Sequence, residues 1–259
     1  MSDTLTFEKQ DNLAIVRLNR PEVFNSFNRD MALALQEILK KCGGDETIRA
    51  LVITGTGKAF CAGQDLSEVT GPNAPGFQTI LGEHYNPIIR LLRNIGKPVI
   101  AGVNGVAAGA GANIALACDI VVAAESASFI QAFSKIGLVP DSGGTFFLPR
   151  MIGFQKAFAL MATGEKVSAS EAEKMGMVYR VFSDSSFMDE VIKLGHALAA
   201  MPTHALALIK SALNASMDNT LEEQLDLEEK LQIEAGRTSD YKEGVAAFLE
   251  KRKPVFSGK

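Results

Sequence analysis

The alternation of apolar and polar positions divides the chain into two regimes. Residues 12–18 and 48–55 are nearly unbroken apolar runs bounded by polar residues, and they predict buried strands. Between them Met31, Leu35, Ile38 and Leu39 recur at helical spacing after Asn25 and Ser26, and Gly43 and Gly44 end that run. Residues 79–95 read as helical, with Pro87 predicting a kink or a break. Strands follow at 98–103 and 119–124, with a shorter one at 127–129, and a helix begins near Ala110. From there the pattern is helical, over 143–149, 153–163, 169–175, 186–200, 203–216, 221–236 and 240–251. Ser168 with Glu171, and Thr220 with Glu223, have capping-box spacing, and Pro202 suits a first helical turn. The reading is an α/β core over residues 1–200 and a helical region over 201–259. Stripes at Leu221, Leu225, Leu227 and Leu231, and at Phe248 and Leu249, have no core of their own. They are expected to pack on the core or on another subunit.

Composition narrows the class. Of 259 residues, 47% are hydrophobic and 22% charged, which excludes disordered and fibrous chains. The net charge of −4 gives no general attraction to nucleic acid or to an anionic membrane. Cys42, Cys61 and Cys118 form no CxxC pair, which argues against a disulfide framework or a zinc knuckle and fits a reducing cytoplasm. The first residues show neither a signal core nor a transit pattern. Pro98 to Cys118 carries no charge and is long enough to span a bilayer, but Pro98, Asn104, Asn113 and four glycines favour a buried strand, a turn and a buried helix.

Three segments hold candidate chemistry. Ala59 to Leu66 follows a strand and is rich in small residues, so it is either a tight loop or a place where backbone N–H groups meet a ligand. Asn104 to Asn113 is equally small at a helix start, suited to close packing or to presenting N–H donors to a developing oxyanion. It is not a dinucleotide fingerprint, because GxGxxG is absent. In Gly137 to Thr145, Asp141 is either a helix cap or a lone general acid/base. If Phe129, Phe133 and Phe146 surround Asp141, desolvation raises its pKa. His84, His196 and His204 form no triad or metal pattern and read as surface or packing residues.

Taken together and in this order, the three motifs resemble the enoyl-CoA hydratase/isomerase (crotonase) superfamily. The likeness runs from the Asn19-Arg20-Pro21 turn to the Glu250–Lys253 tail. It implies a crotonase-like spiral of ββα units with a helical C-terminal trimerisation region, assembled as homotrimers or pairs of trimers. It also implies an acyl-CoA substrate, with coenzyme A entering as part of that substrate and no metal or separate cofactor. The implied oxyanion donors are the N–H groups of Gln64 and Ala110, with Asp141 as the acid/base. Implied substrate contacts are Phe24, Ser26, Ala62, Gly63, Asp65 and Leu66 toward the adenine, Tyr85, Gly109, Asn113 and Phe133, and Phe248 and Lys251, which a neighbouring subunit can supply. Family hydratases use two glutamates to add water. Here those positions hold Asn113 and Phe133, so hydration is not expected. The strings Tyr85–Leu92, Ala132–Thr145 and Gln224–Glu228 resemble the branch that isomerises ring-epoxide thioesters to oxepins and shifts 3,4- to 2,3-double bonds. Other readings are a different family reaction, such as hydration or dienoyl isomerisation, or a non-catalytic CoA- or RNA-binding member.

Overall fold

A computed structural model of the chain describes residues 3–70 and 74–259. A hairpin of β1 (Leu5–Gln10) and β2 (Leu13–Leu18) leads into α1 (Arg29–Gly44). The chain then repeats one move three times. β3 (Ala50–Gly55) and β4 (Ala59–Cys61) precede α2 (Phe77–Thr79) and α3 (Asn86–Asn94), which are joined by a π-helical stretch at Ile80–Tyr85. β5 (Val99–Val103) and β6 (Val106–Ala108) precede α4 (Ala110–Leu116). β7 (Ile120–Ala124) and β8 (Ser128–Ile130) precede α5 (Gly144–Ile152) and α6 (Phe154–Thr163). β9 (Lys166–Ser168), α7 (Ala169–Lys174) and β10 (Arg180–Phe182) complete the sheets, and α8 (Phe187–Ala199), α9 (Thr203–Ala215), α10 (Leu221–Ala235) and α11 (Ser239–Leu249) follow.

The first strand of each pair enters a six-stranded sheet, ordered β1-β2-β3-β5-β7-β10, and the second enters a four-stranded sheet, ordered β4-β6-β8-β9. Each turn adds one strand to each sheet, which is the spiral of ββα units that the resemblance implied. The pairs β2–β3, β3–β5 and β5–β7 are parallel, as are β4–β6 and β6–β8. Every residue of β3 and β5 is buried, which is why those runs read as unbroken rather than alternating. Pro98 to Cys118 contains β5, β6 and α4, and no single helix among the described residues is long and apolar enough to cross a membrane.

Several sequence expectations shift. β1, β4, β6, β9 and β10 were not anticipated: four of them have three residues each, too few to show a period, and β1 is an edge strand with a mostly open face. Pro87 does not break the helical segment. It sits in the first turn of α3, where the π stretch hands over to α geometry. The cap of α1 is Asn28, whose side chain accepts from the Met31 N–H, while Asn25 is buried and holds Thr56 O and Ala59 O. Both capping boxes form as the spacing predicts.

The C-terminal helices are tethered to the core by polar contacts. Lys210 Nζ donates to Leu92 O at 2.7 Å and pairs with Asp119 at 2.8 Å. Arg49 donates to Thr203 Oγ1 and Phe256 O. No residue of α10 is buried, and Leu221, Phe248 and Leu249 are 71%, 82% and 74% exposed.

Candidate active site

Three adjacent parallel strands of the small sheet, β4, β6 and β8, end on the same edge. The loops that leave them are the three segments singled out in the sequence, and strand pairing brings them together. This is the usual place for a site in a parallel sheet, since successive loops gather at the strands' carboxyl ends. The Gly109 N–H donates to Ile130 O at 2.9 Å, which stitches the second loop to the third. A Cβ placed on Gly63 would lie 3.0 Å from Ala108 O and 3.6 Å from Ala110 N, so the first loop rests directly on the second.

A cavity of about 450 Å³ opens between these loops. Gln64, Ala110 and Asp141 all line it. The backbone at Gln64 is held by a parallel bridge to Phe27: the Phe27 N–H donates to Gly63 O at 2.7 Å, and the Asp65 N–H donates to Phe27 O at 2.9 Å. That pairing turns the Gln64 N–H to the opposite side. Ala110 is the first residue of α4, so its N–H has no partner within the helix. Neither N–H has an acceptor among the described residues.

Asp141 is half-buried, and burial raises its carboxyl above the ordinary 3.8, partly offset by the Ser142 hydroxyl, which donates to it at 2.8 Å. No cation is paired with it among the described residues. It is not the cap of α5. Gly143 occupies that position, and what Asp141 contributes there is its carbonyl, which accepts from the Gly144 N–H and from Asn113 Nδ2 at 2.8 Å. Asn113 Oδ1 in turn accepts from Gln131 Nε2 at 2.7 Å. A Cβ on Gly144 would fall 2.3 Å from Asn113 Nδ2, so the glycine makes room for the amide that holds Asp141.

The structure redistributes other expected residues. Ala62, Gly63, Leu66, Tyr85, Gly109 and Phe133 line the cavity. Asn113 does not; it lies behind Asp141. Of the three phenylalanines whose packing around Asp141 was the condition for a raised pKa, only Phe133 lines the cavity: Phe129 is in the core, and Phe146 faces outward with Arg150 over its ring at 3.8 Å. The Asp65 carboxylate is occupied by Arg20 at 2.8 Å and by the Ser67 N–H and hydroxyl. Ser26 donates to Val23 O, and Phe24, 53% exposed, takes the Ala62 N–H on its carbonyl, so both sit beside the cavity rather than in it. Phe248 and Lys251 are exposed at the end of α11 and do not reach the cavity of their own chain. Cys61 and Cys118 are buried thiols pushed up to about 12 by desolvation. His84 is buried, as a packing residue would be.

Val69, Phe77, Ile80, Leu81, Ile136 and Leu138 form the apolar wall, and the sequence named none of them as a candidate contact, although Ile136 and Leu138 fall within the Ala132–Thr145 string. Their advance signal was position between or beside the motifs, with Phe77, Ile80 and Leu81 on the helical segment that leads to Tyr85.

Residues 8–259 match the enoyl-CoA hydratase/isomerase family. The chain belongs to this family. Within it, the chain is 48% identical to the 1,2-epoxyphenylacetyl-CoA isomerase of Escherichia coli (strain K12), over 100% of both chains. It is 33% identical to the 4-chlorobenzoyl coenzyme A dehalogenase-2 of an Arthrobacter species, over 95% of this chain and 91% of that one. The crystal structure of enoyl-CoA hydratase from Bacillus anthracis superposes with a TM-score of 0.92 at 32% identity, covering 99% of this chain and 100% of that one. Relatives of different named activity thus align along nearly the whole chain, and side chains must separate them. Among the described residues Asp141 is the one carboxylate that lines the cavity, beside two unpaired N–H groups. This equipment suits chemistry that passes through an enolate and needs a single proton carrier.

Proposed function

We propose that the protein is an acyl-CoA isomerase, converting ring-1,2-epoxyphenylacetyl-CoA to its oxepin and shifting 3,4- to 2,3-enoyl double bonds. One observation carries the reading: a single desolvated carboxyl, Asp141, shares an apolar cavity with two acceptor-free N–H groups. The thioester oxygen accepts from the Gln64 and Ala110 N–H groups, each worth about 3 kcal/mol to a developing enolate, by analogy with other oxyanion donors. Asp141 removes the α-proton, the electron pair spreads over the enolate and the double bond, and the same proton returns at the γ-carbon. No atom is gained or lost, so no second acid is needed. For the epoxide, ring opening is largely an electron shift, and the cavity contributes orientation and polarisation. Asn113 and Phe133 stand where hydratases of the family carry glutamates; one is committed to Asp141 O and the other is an apolar wall. The reading calls for no metal or redox group.

The protein would work as a homotrimer or a pair of trimers. The unburied α10 and the exposed Phe248 and Leu249 support this, and a neighbouring chain would bring Phe248 and Lys251 to the coenzyme A.

The test incubates the purified protein with a 3-enoyl-CoA and, separately, with ring-1,2-epoxyphenylacetyl-CoA, followed by absorbance and mass spectrometry. New absorbance at unchanged mass with both substrates is expected. A product heavier by one water would instead mark a hydratase, and no conversion of either would refute the proposal.

A further inference from the structure

Tyr85 is the last residue of the π-helical stretch, a register change that often accompanies function. It is 1% exposed, and it lines the cavity. Its hydroxyl donates to Gln64 Oε1 at 2.8 Å. The other end of that amide is also engaged, Gln64 Nε2 donating to Asp65 O at 3.2 Å and to Glu68 Oε2 at 3.5 Å. The Tyr85 ring packs on Phe27 at 5.8 Å between centroids, and Phe27 is the residue whose backbone brackets Gln64 from the far side. One side chain therefore touches both things that orient the Gly63–Gln64 peptide: the strand-like bridge behind it and the side chain in front of it.

We infer that Tyr85 is a positioning residue that aims the Gln64 N–H at the thioester oxygen, acting through its hydrogen bond to the Gln64 side chain. The inference rests on the proposed oxyanion role of that N–H. A backbone donor loses strength steeply as its angle to the acceptor opens, so a peptide plane free to rock gives up more stabilisation of the charged enolate than of the neutral bound substrate. Burial, with nearby Cys61, Asp141, Glu68 and Asp65, pushes the phenol well above its ordinary 10.0, so the hydroxyl stays a donor at every working pH. Tyr85 also stands in the wall formed by Ile80 and Leu81, so the surface that meets the acyl group is the surface that holds the oxyanion donor.

The test compares Tyr85→Phe, Gln64→Met and the double variant. Phenylalanine keeps the ring against Phe27, and methionine keeps the backbone N–H while removing the amide; a thermal melt checks that each folds. The first readout is kcat and KM on a 3-enoyl-CoA. The second, which needs no turnover, is the red shift in absorbance of bound cinnamoyl-CoA, whose conjugated carbonyl is polarised by oxyanion donors. Each single variant is expected to lose about tenfold in kcat with KM within about twofold, and to shrink the red shift. The double variant is expected to be no worse than the poorer single, because both break one contact. Full kcat and full red shift in Tyr85→Phe would overturn the inference. So would a double-variant loss equal to the product of the singles, which would put Tyr85 directly on the substrate. Absence of any red shift in the unaltered protein would overturn the oxyanion role itself, and the inference with it.

Discussion

Replacing Asp141 with asparagine should remove activity and stabilise the fold. Asparagine keeps the volume and an oxygen to accept from the Ser142 hydroxyl, which now donates at 2.8 Å. The backbone contacts with Gly144 and Asn113 do not involve the carboxyl and should persist. What disappears is the base. Among the described residues lining the cavity there is no other carboxylate, and Tyr85 holds its proton too tightly to replace Asp141. General acid–base groups contribute about 10²–10⁴-fold, and a sole proton carrier belongs at the upper end, so kcat for double-bond migration should fall about 10⁴-fold with coenzyme A ligands binding as before. The stability change has the opposite sign. Burial raises the Asp141 pKa above its ordinary 3.8, so between that value and the raised one the folded state holds more protons than the unfolded state. Stability therefore falls as pH rises through that window, and the full penalty persists at neutral pH. Asp141→Asn escapes the penalty, so its melting temperature should exceed that of the unaltered protein at pH 7, and the two should converge below pH 3.8. The unaltered protein should also show an acid limb in kcat/KM above pH 3.8 that the variant's residual rate lacks. A variant that melts lower at pH 7, or that turns over normally, would refute the reasoning.

Three further outcomes follow from the packing. Gly111→Ala would put a Cβ 2.4 Å from Cys61 O and 2.7 Å from Cys61 Sγ, forcing α4 off the first loop. We expect about 1–3 kcal/mol lost in denaturant melts and more than about tenfold lost in kcat as the Ala110 N–H moves. Asn113→Ala strips one partner each from Asp141 O and Gln131 Nε2, costing about 1–3 kcal/mol and lowering kcat more than it raises KM in steady-state assays. Lys210→Met leaves Asp119 half-buried with, among the described residues, Arg93 alone at 3.4 Å as counter-charge, and should cost about 3 kcal/mol by urea denaturation, with Asp119→Asn in the same chain restoring part of it.

The chain's periodicity was sufficient for whatever depends on near neighbours. The buried runs of β2, β3, β5 and β7, the helices from α5 to α11 and both capping boxes lie close to where spacing and residue type put them. The three motif segments were visible as small, glycine-rich stretches after strands, and their combined order was specific enough to identify the family. Tertiary structure decided what those segments do to one another. β4 and β6 are three residues each and carry no period, and only β8 was legible as a short strand, yet the parallel pairing of all three sets three sequence-distant loops on one edge. Asp141 looked as much a cap as a base until Gly143 was seen in the capping position and the carboxyl in the cavity. Asn113 looked like a substrate contact and is a support behind Asp141, while Asp65 is spent on Arg20 and Ser67. Local pattern encodes which face of an element is apolar, because side-chain direction repeats along a helix or strand. Which distant donor meets which acceptor is encoded only in the packing of whole elements, where a close approach at Gly144 or a single amide from Asn113 settles the geometry.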